Sequence, residues 1–144
     1  MIFVKYFKLI AAFTDAFFIA WFKFPHCTRD KKLIVIQCWA QKVLDLLHVE
    51  VAPLSLSRPN ESPELPYLLV ANHVSWLDIL VIQSIHPSIF VAKREVRNWP
   101  IVGALAQACG VIFVDRSSSG AAREMVKDVS DALQRGYSVA GFPE

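Results

Sequence analysis

Phe3, Tyr6, Ile10, Phe13, Phe17, Trp21 and Phe24 recur every three or four residues. At 100° per residue they share one side of a helix running from Met1 to Phe24 and stopped by Pro25. The charges of this stretch, Lys5, Lys8, Asp15 and Lys23, fall together in an arc of about 80°, which Met1, Ala12 and Ile19 also enter. The pattern predicts a helix with a broad aromatic face and a narrow charged stripe. A second helix is expected over 31–47, capped by Thr28 or Asp30. Leu33, Ile36, Trp39, Ala40, Val43, Leu44, Leu46 and Leu47 cover one side of it, and Gln37, Gln41, Lys42 and Asp45 the other. The two helices make a hairpin-like arm over residues 1–48.

The texture then changes. Val49–Ser55 has strand character, with Pro53 confining it to an edge. Ser57–Pro66 holds three prolines and reads as an exposed loop. Four short apolar runs follow: Tyr67–Ala71, Ile89–Ala92, Val111–Val114 and Tyr137–Gly141. Helical patterns separate them, at Trp76–Ile85, at Glu95–Cys109 with a break at Pro100, and at Ala121–Arg135. The last carries Ala122, Met125, Val126, Val129 and Leu133 on one face and Gly136 as its stop. Continuous apolar strands alternating with helices predict an α/β domain over 49–144, a largely parallel sheet flanked by helices. The chain stops at Phe142-Pro143-Glu144, straight out of an apolar strand, so the expectation is a domain incomplete at its C-terminus, with an unpaired sheet edge and no activity of its own.

Composition narrows the function classes. The chain has 144 residues, 54% of them hydrophobic, with ten Phe and four Trp. That excludes a disordered or low-complexity chain and points toward membrane contact. The net charge of +2 leaves no basic footprint for nucleic acid. Residues 1–32 carry six cations and two anions, so the basic end is also the most apolar end. This pairing suits an anchor on the anionic, cytoplasmic face of the inner membrane. Fourteen residues, broken by Asp15, lie between Lys8 and Lys23, whereas a span needs about 20 apolar residues; an in-plane or shallowly inserted helix is therefore expected. Asp15, with no small-x-small cleavage site after it, also argues against a signal peptide. Cys27, Cys38 and Cys109 are widely spaced and support neither a disulfide framework nor a zinc site.

Candidate chemistry lies after the strands. Asn72-His73-Val74-Ser75-Trp76-Leu77-Asp78 places a histidine at a strand end and a carboxylate five residues on. Asp78 could hold one imidazole nitrogen and leave the other as a base. It could equally be the third helical residue of a capping box begun by Ser75. Gly110–Arg116 ends a buried strand in an arginine, whose planar fork suits phosphate. A surface ion pair is the alternative. Lys93 and Arg94 follow a third strand, either as part of a cation cluster or as a solvated strand end. Phe142-Pro143-Glu144 ends a fourth strand in an acid.

Asn72-His73-x4-Asp78, the Gly110–Arg116 block and Phe142-Pro143-Glu144 resemble, in order and spacing, the motifs of the glycerolipid acyltransferase family, in particular its bacterial 1-acylglycerol-3-phosphate (lysophosphatidate) acyltransferases. The resemblance covers about residues 30–144 and lacks the Gly and Ser/Thr that continue the third motif. It implies acyl transfer from acyl-CoA or acyl carrier protein to a lysophospholipid hydroxyl, with no metal or other cofactor. By the same resemblance His73 is the general base and Asp78 its partner. Arg116, helped by Lys93, binds the acceptor phosphate, and Glu144 contacts the glycerol. Membrane lipids are the expected surroundings. Two rivals stand beside this reading. A non-catalytic membrane-binding module accounts for the arm alone, and a serine hydrolase would use Gly136-Tyr137-Ser138-Val139-Ala140, although a helix precedes that serine where a strand is needed.

Overall fold

The computed structural model describes residues 2–52, 66–115 and 120–143. Helix α1 (Ile2–Phe18) continues as a π-helical turn (Ile19–Lys23) and a 3-10 turn (Phe24–His26), and α2 (Arg29–Leu47) follows. Then come β1 (Leu68–Val70), α3 (Leu77–Ile85), β2 (Ile89–Lys93), a 3-10 segment (Arg94–Asn98), α4 (Val102–Ala108), β3 (Ile112–Val114), α5 (Ala121–Gln134) and β4 (Val139–Gly141). The four apolar runs all form strands, and the alternation of strand and helix is as the pattern predicts.

Pro25 does not end the helical path. It occupies the first turn of the 3-10 segment, where its missing N–H is not needed, and the chain leaves the helix at Cys27. The π turn just before it has no counterpart in the sequence pattern. There the Phe24 N–H reaches back to the Ile19 carbonyl. Because proline can neither donate to the carbonyl four residues earlier nor pack against it, the wider turn eases the passage into Pro25.

The arm folds back on itself. Trp39 Nε1 donates to the Ala12 carbonyl at 2.9 Å, and the Phe13 ring meets Trp39 edge-on at 5.3 Å. Ala12, Ala40, Val43, Leu44 and Leu80 form one buried cluster joining α1, α2 and α3. Phe13 and Phe24 are therefore not on the outer side, as the helical wheel places them: Phe13 packs inward and Phe24 is buried. Tyr6, Ile10, Phe17 and Trp21 of the expected face are exposed, and Phe7, Phe18 and Phe22 join them. A wheel at constant pitch cannot anticipate where α2 docks or that a π turn rephases the end. Asp15, on the charged stripe, pairs with Lys42 of α2 at 3.4 Å. Among the described residues no helix is long and apolar enough to cross a membrane.

Val49 and Val51 pack against the helical cluster, and 49–52 forms no strand. The remainder of the expected strand Val49–Ser55, like most of the loop 57–66, lies outside the described residues. In α5 Met125, Val129 and Leu133 of the expected face are half-buried and Ala121 and Ala132 are buried beside them, while Ala122 and Val126 face solvent. Gly136 ends α5 as expected, at φ +81°, with the Tyr137 N–H returning to the Ala132 carbonyl. Arg29 at the start of α2 donates to the Arg135 carbonyl there (2.6 Å), placing a cation at a helix C-terminus.

The sheet is parallel throughout, in the order β1-β4-β2-β3. The final strand is thus inserted between β1 and β2, with Val139 opposite both Leu68 and Ile89. Val139 and Ala140 are fully buried as a result. The run that closes the sequence is central, paired on both sides, and the outer strands are β1 and β3.

Between β2 and α4 the backbone is tightly folded. Gly103 is buried, and a Cβ there would collide with the Arg97 carbonyl. Gly103→Ala is expected to lower stability by about 3 kcal/mol, because backbone rather than a flexible side chain must yield. The midpoint of urea unfolding would measure it, and a loss below about 0.5 kcal/mol would mean that the corner is not close-packed.

Candidate active site

All four strands point the same way, so their C-terminal ends form one edge of the sheet. Along it lie, in spatial order, His73 after β1, Phe142 after β4, Lys93 at the end of β2 and Asp115 after β3. Arg116 and Glu144 fall outside the described residues.

The His73–Asp78 turn is built by its own backbone. Asp78 Oδ2 accepts the N–H groups of Val74 (2.7 Å) and Ser75 (2.8 Å), and lies 3.3 Å from His73 Nδ1. Ser75 Oγ in turn accepts the Leu77 N–H at 3.3 Å. The two readings of the motif coexist. Only the Asp78 half of the expected box forms: its carboxylate accepts the Ser75 N–H and the same oxygen holds the imidazole, while Ser75 Oγ takes the Leu77 N–H, the Asp78 N–H goes to the Ser75 carbonyl, and Trp76 is the N-cap residue. These bonds shape the entry to a helix that begins at Leu77, with Asp78 its second residue and not its third.

This arrangement determines the charge of Asp78. The Ser75 N–H, then the Val74 N–H, hold its carboxyl below the ordinary value of 3.8, and His73 adds to the effect against a partial loss of solvation. The group is an anion at neutral pH. With Nδ1 of His73 donating to it, Nε2 is the basic nitrogen of the ring. The His73 and Asp78 side chains are each 30% exposed, which leaves the pair open to a substrate. The imidazole is also held by its face: it stacks on Phe142 at 4.1 Å and 19°, and Phe142 leans on buried Phe90 at 5.7 Å. Val74 and Trp76 stand exposed beside it, giving the mouth of the site an apolar rim.

The structure unites His73 and Asp78 and adds Phe142 as their platform. Phe142 was visible in the sequence only as part of a motif, since its stacking role depends on β4 lying next to β1. Arg94 Nη1 is bonded to Asp115 Oδ2 at 2.8 Å, tying the end of β2 to the end of β3. Arg94, expected either in a cation cluster or as a solvated strand end, is thus held in an ion pair. Lys93 ends β2 on the same edge, one strand from Phe142.

The hydrolase reading fails on geometry. Ser138 is buried where the chain enters β4, at the opposite end of that strand from Phe142, and its Oγ faces the Tyr67 N–H at 3.4 Å. Cys109 is inert as well, because burial pushes its thiol up to about 11.

A parallel α/β sheet with an aspartate-held histidine at its C-terminal edge defines the class, and the comparisons identify it. The chain belongs to the acyltransferase family, whose model matches residues 53–144. It is 37% identical over 119 residues to a 1-acyl-sn-glycerol-3-phosphate acyltransferase of Neisseria gonorrhoeae, covering 81% of this chain and 44% of that protein. It is 40% identical over 92 residues to a lyso-ornithine lipid O-acyltransferase of Pseudomonas aeruginosa, covering 64% of this chain and 35% of that protein. The crystal structure of the 1-acyl-sn-glycerophosphate acyltransferase PlsC from Thermotoga maritima shares the fold, with a TM-score of 0.62 at 22% identity over 97% of this chain and 62% of that one. The chain thus spans less than half the length of these two curated relatives.

Proposed function

We propose that the full-length gene product moves a fatty acyl chain from an acyl thioester, acyl-CoA or acyl carrier protein, to the hydroxyl of a lysophospholipid, converting 1-acylglycerol-3-phosphate to phosphatidic acid. The observation that carries this is His73 Nδ1 at 3.3 Å from a carboxylate fixed by two backbone N–H groups. His73 Nε2 takes the proton of the acceptor hydroxyl as its oxygen attacks the thioester carbonyl. Asp78 stabilises the imidazolium that forms. Collapse of the tetrahedral intermediate breaks the C–S bond, and the proton on the imidazolium passes to the departing thiolate. No covalent acyl-enzyme is required, and no metal or further cofactor enters the balance.

Arg116, following β3, binds the acceptor phosphate, with Lys93 from β2 on the same edge, and Glu144 contacts the glycerol. A second acceptor is favoured by the Pseudomonas aeruginosa relative, named for lyso-ornithine lipid. One experiment separates the two: acyl transfer from labelled acyl-CoA and acyl carrier protein to a panel of lysolipids, with wild type and Arg116→Ala. Arg116→Ala is expected to raise KM for 1-acylglycerol-3-phosphate by at least roughly tenfold, the loss of a charge-assisted hydrogen-bond pair, and to leave the thioester KM unchanged. An equal effect on an acceptor without phosphate would remove the phosphate role.

The arm over 1–48 serves the lipid surface, and residues 49–144 carry the chemistry. In this reading α1 lies in the interface at the cytoplasmic face of the inner membrane. Tyr6, Phe7, Ile10, Phe18, Trp21 and Phe22 meet acyl chains, and Lys8 and Lys23 meet anionic headgroups. Phe18→Glu with Phe22→Glu is expected to release the protein from anionic vesicles in flotation assays, and wild-type binding should weaken as salt rises. Retention of the double variant on vesicles would exclude the arm as the anchor.

A further inference from the structure

We propose that the turn Trp99-Pro100-Ile101-Val102 is a second lipid-contacting element, which inserts its apolar side chains into the bilayer beside the arm. The inference rests on the reading of the arm as an interfacial helix and extends it to a part of the chain that none of the sequence motifs touches.

Trp99 and Ile101 are 57% and 58% exposed, and Val102 is exposed as well. Three large apolar side chains in four residues, joined by a proline, make an unusual tip for a soluble surface. The backbone presents them in a rigid form. Ile101 has φ +63° and ψ −58°, a conformation costly for a β-branched residue. The Val102 N–H closes the turn onto the Pro100 carbonyl at 2.6 Å. On its inner side, Gly103 lies against the Arg97 carbonyl with no room for a side chain. The Gly103 N–H also donates to the Trp99 carbonyl at 2.9 Å. A turn held in a costly conformation with its apolar side chains outward is preorganised to meet something, and nothing within the described fold covers it.

Its position names the partner. The Leu105 N–H donates to the Ile101 carbonyl (3.0 Å), so Ile101, Leu105 and Ala108 follow one another along one side of α4. Leu105 and Ala108 line a groove of about 230 Å³ whose opposite wall is Phe17, Ala20 and Trp21 of the arm. The tip therefore stands one helical turn, about 5 Å, beyond the place where α4 meets the exposed aromatic end of the arm. Trp21, on the wall of that groove, is itself 66% exposed. The segment leading into the tip is basic: Lys93, Arg94 and Arg97 accompany a single acid, Glu95. Arg94 is neutralised by Asp115, while Arg97 lies over the Phe113 ring at 6.0 Å. An exposed tryptophan two residues after an arginine, near the exposed aromatic end of the arm, matches the composition of a membrane interface and not that of a dry protein–protein core.

The test uses the full-length gene product and vesicles of phosphatidylcholine with about one-quarter phosphatidylglycerol, an anionic fraction sufficient to attract lysines. Ile101→Gly is expected to lower vesicle partitioning by roughly fivefold, and Trp99→Ser with Ile101→Gly by roughly twentyfold, since each side chain withdraws about half its apolar area from water on insertion. Ile101→Gly also relieves the positive φ, so its thermal midpoint without vesicles should rise. Weaker binding by a more stable protein cannot be attributed to unfolding. Trp99 fluorescence, read as wild type minus Trp99→Phe, should be quenched by acrylamide in solution and shielded once vesicles are added. Unchanged partitioning of the double variant, with Phe18→Glu/Phe22→Glu released, would overturn the tip and leave the arm. The reverse pattern would overturn the arm and leave the tip. If Trp99 is already shielded before vesicles are added, its partner is another segment of the protein or a second copy, and the proposal fails.

Discussion

His73→Ala in the full-length gene product is expected to lower acyl transfer by roughly 10²–10⁴-fold, the usual contribution of a positioned general base. The reacting hydroxyl of a lysolipid is a poor nucleophile until its proton has somewhere to go. Among the described residues the sheet edge offers one imidazole held in a defined orientation, that of His73 on Asp78 and Phe142. The loss should fall on kcat rather than on either KM, because the imidazole acts on a bond that changes only in the transition state. The fold should survive. Asp78 keeps its two backbone donors, and the lost side chain is partly exposed. Steady-state turnover with matched thermal midpoints would check this, and near-wild-type turnover from a folded His73→Ala protein would refute the proposed mechanism.

Substitution of Asp78 should separate two jobs of one carboxylate. Asp78→Asn keeps an oxygen that can accept the Val74 and Ser75 N–H groups, so the turn should persist with a stability loss of about 1 kcal/mol. Turnover should nevertheless fall by about 10²-fold or more, because the amide bears no charge to stabilise the imidazolium and can turn a donor toward Nδ1. Asp78→Ala removes the cap as well and should cost about 2 kcal/mol. The pH dependence has a definite sign. The folded carboxyl lies below its ordinary 3.8, so its stabilising effect is complete above that value and disappears as pH falls through the lower, folded value. The stability gap between wild type and Asp78→Asn should therefore be constant at neutral pH and shrink below about pH 3.8. Urea unfolding at pH 7 and pH 3 would measure it, and a gap that widened in acid would contradict the hydrogen bonding described here.

The motif holding these residues was legible because it is local. His73, Ser75 and Asp78 lie within one strand-to-helix turn, and the bonds that shape it link residues two to five apart. The sequence could not choose between helix cap and imidazole partner, and in the structure one oxygen accepts the backbone N–H groups and holds the imidazole. The four strands and the helices between them were legible for a related reason. Apolar runs and helical periodicity record how a segment meets a core, whichever core it is. Gly136, with its positive φ, announced its helix end.

What tertiary structure decided depends on contacts between distant segments. The insertion of β4 between β1 and β2 turned the last apolar run into the centre of the sheet and set Phe142 against His73. No local pattern encodes strand order, because a buried strand reads alike with either neighbour. The docking of α2 drew Phe13 and Phe24 inward, matched Asp15 with Lys42 and left Phe18 and Phe22 exposed. Periodicity finds the apolar faces of an amphipathic helix, but which part of a wide apolar face is covered is settled by the partner. The sequence alone determined the elements, the residues of the His73–Asp78 turn and the aromatic character of the arm. Packing across the fold decided which strand brings a platform to the imidazole and which aromatic side chains remain free, since those depend on free-energy differences between whole arrangements and not on any one segment.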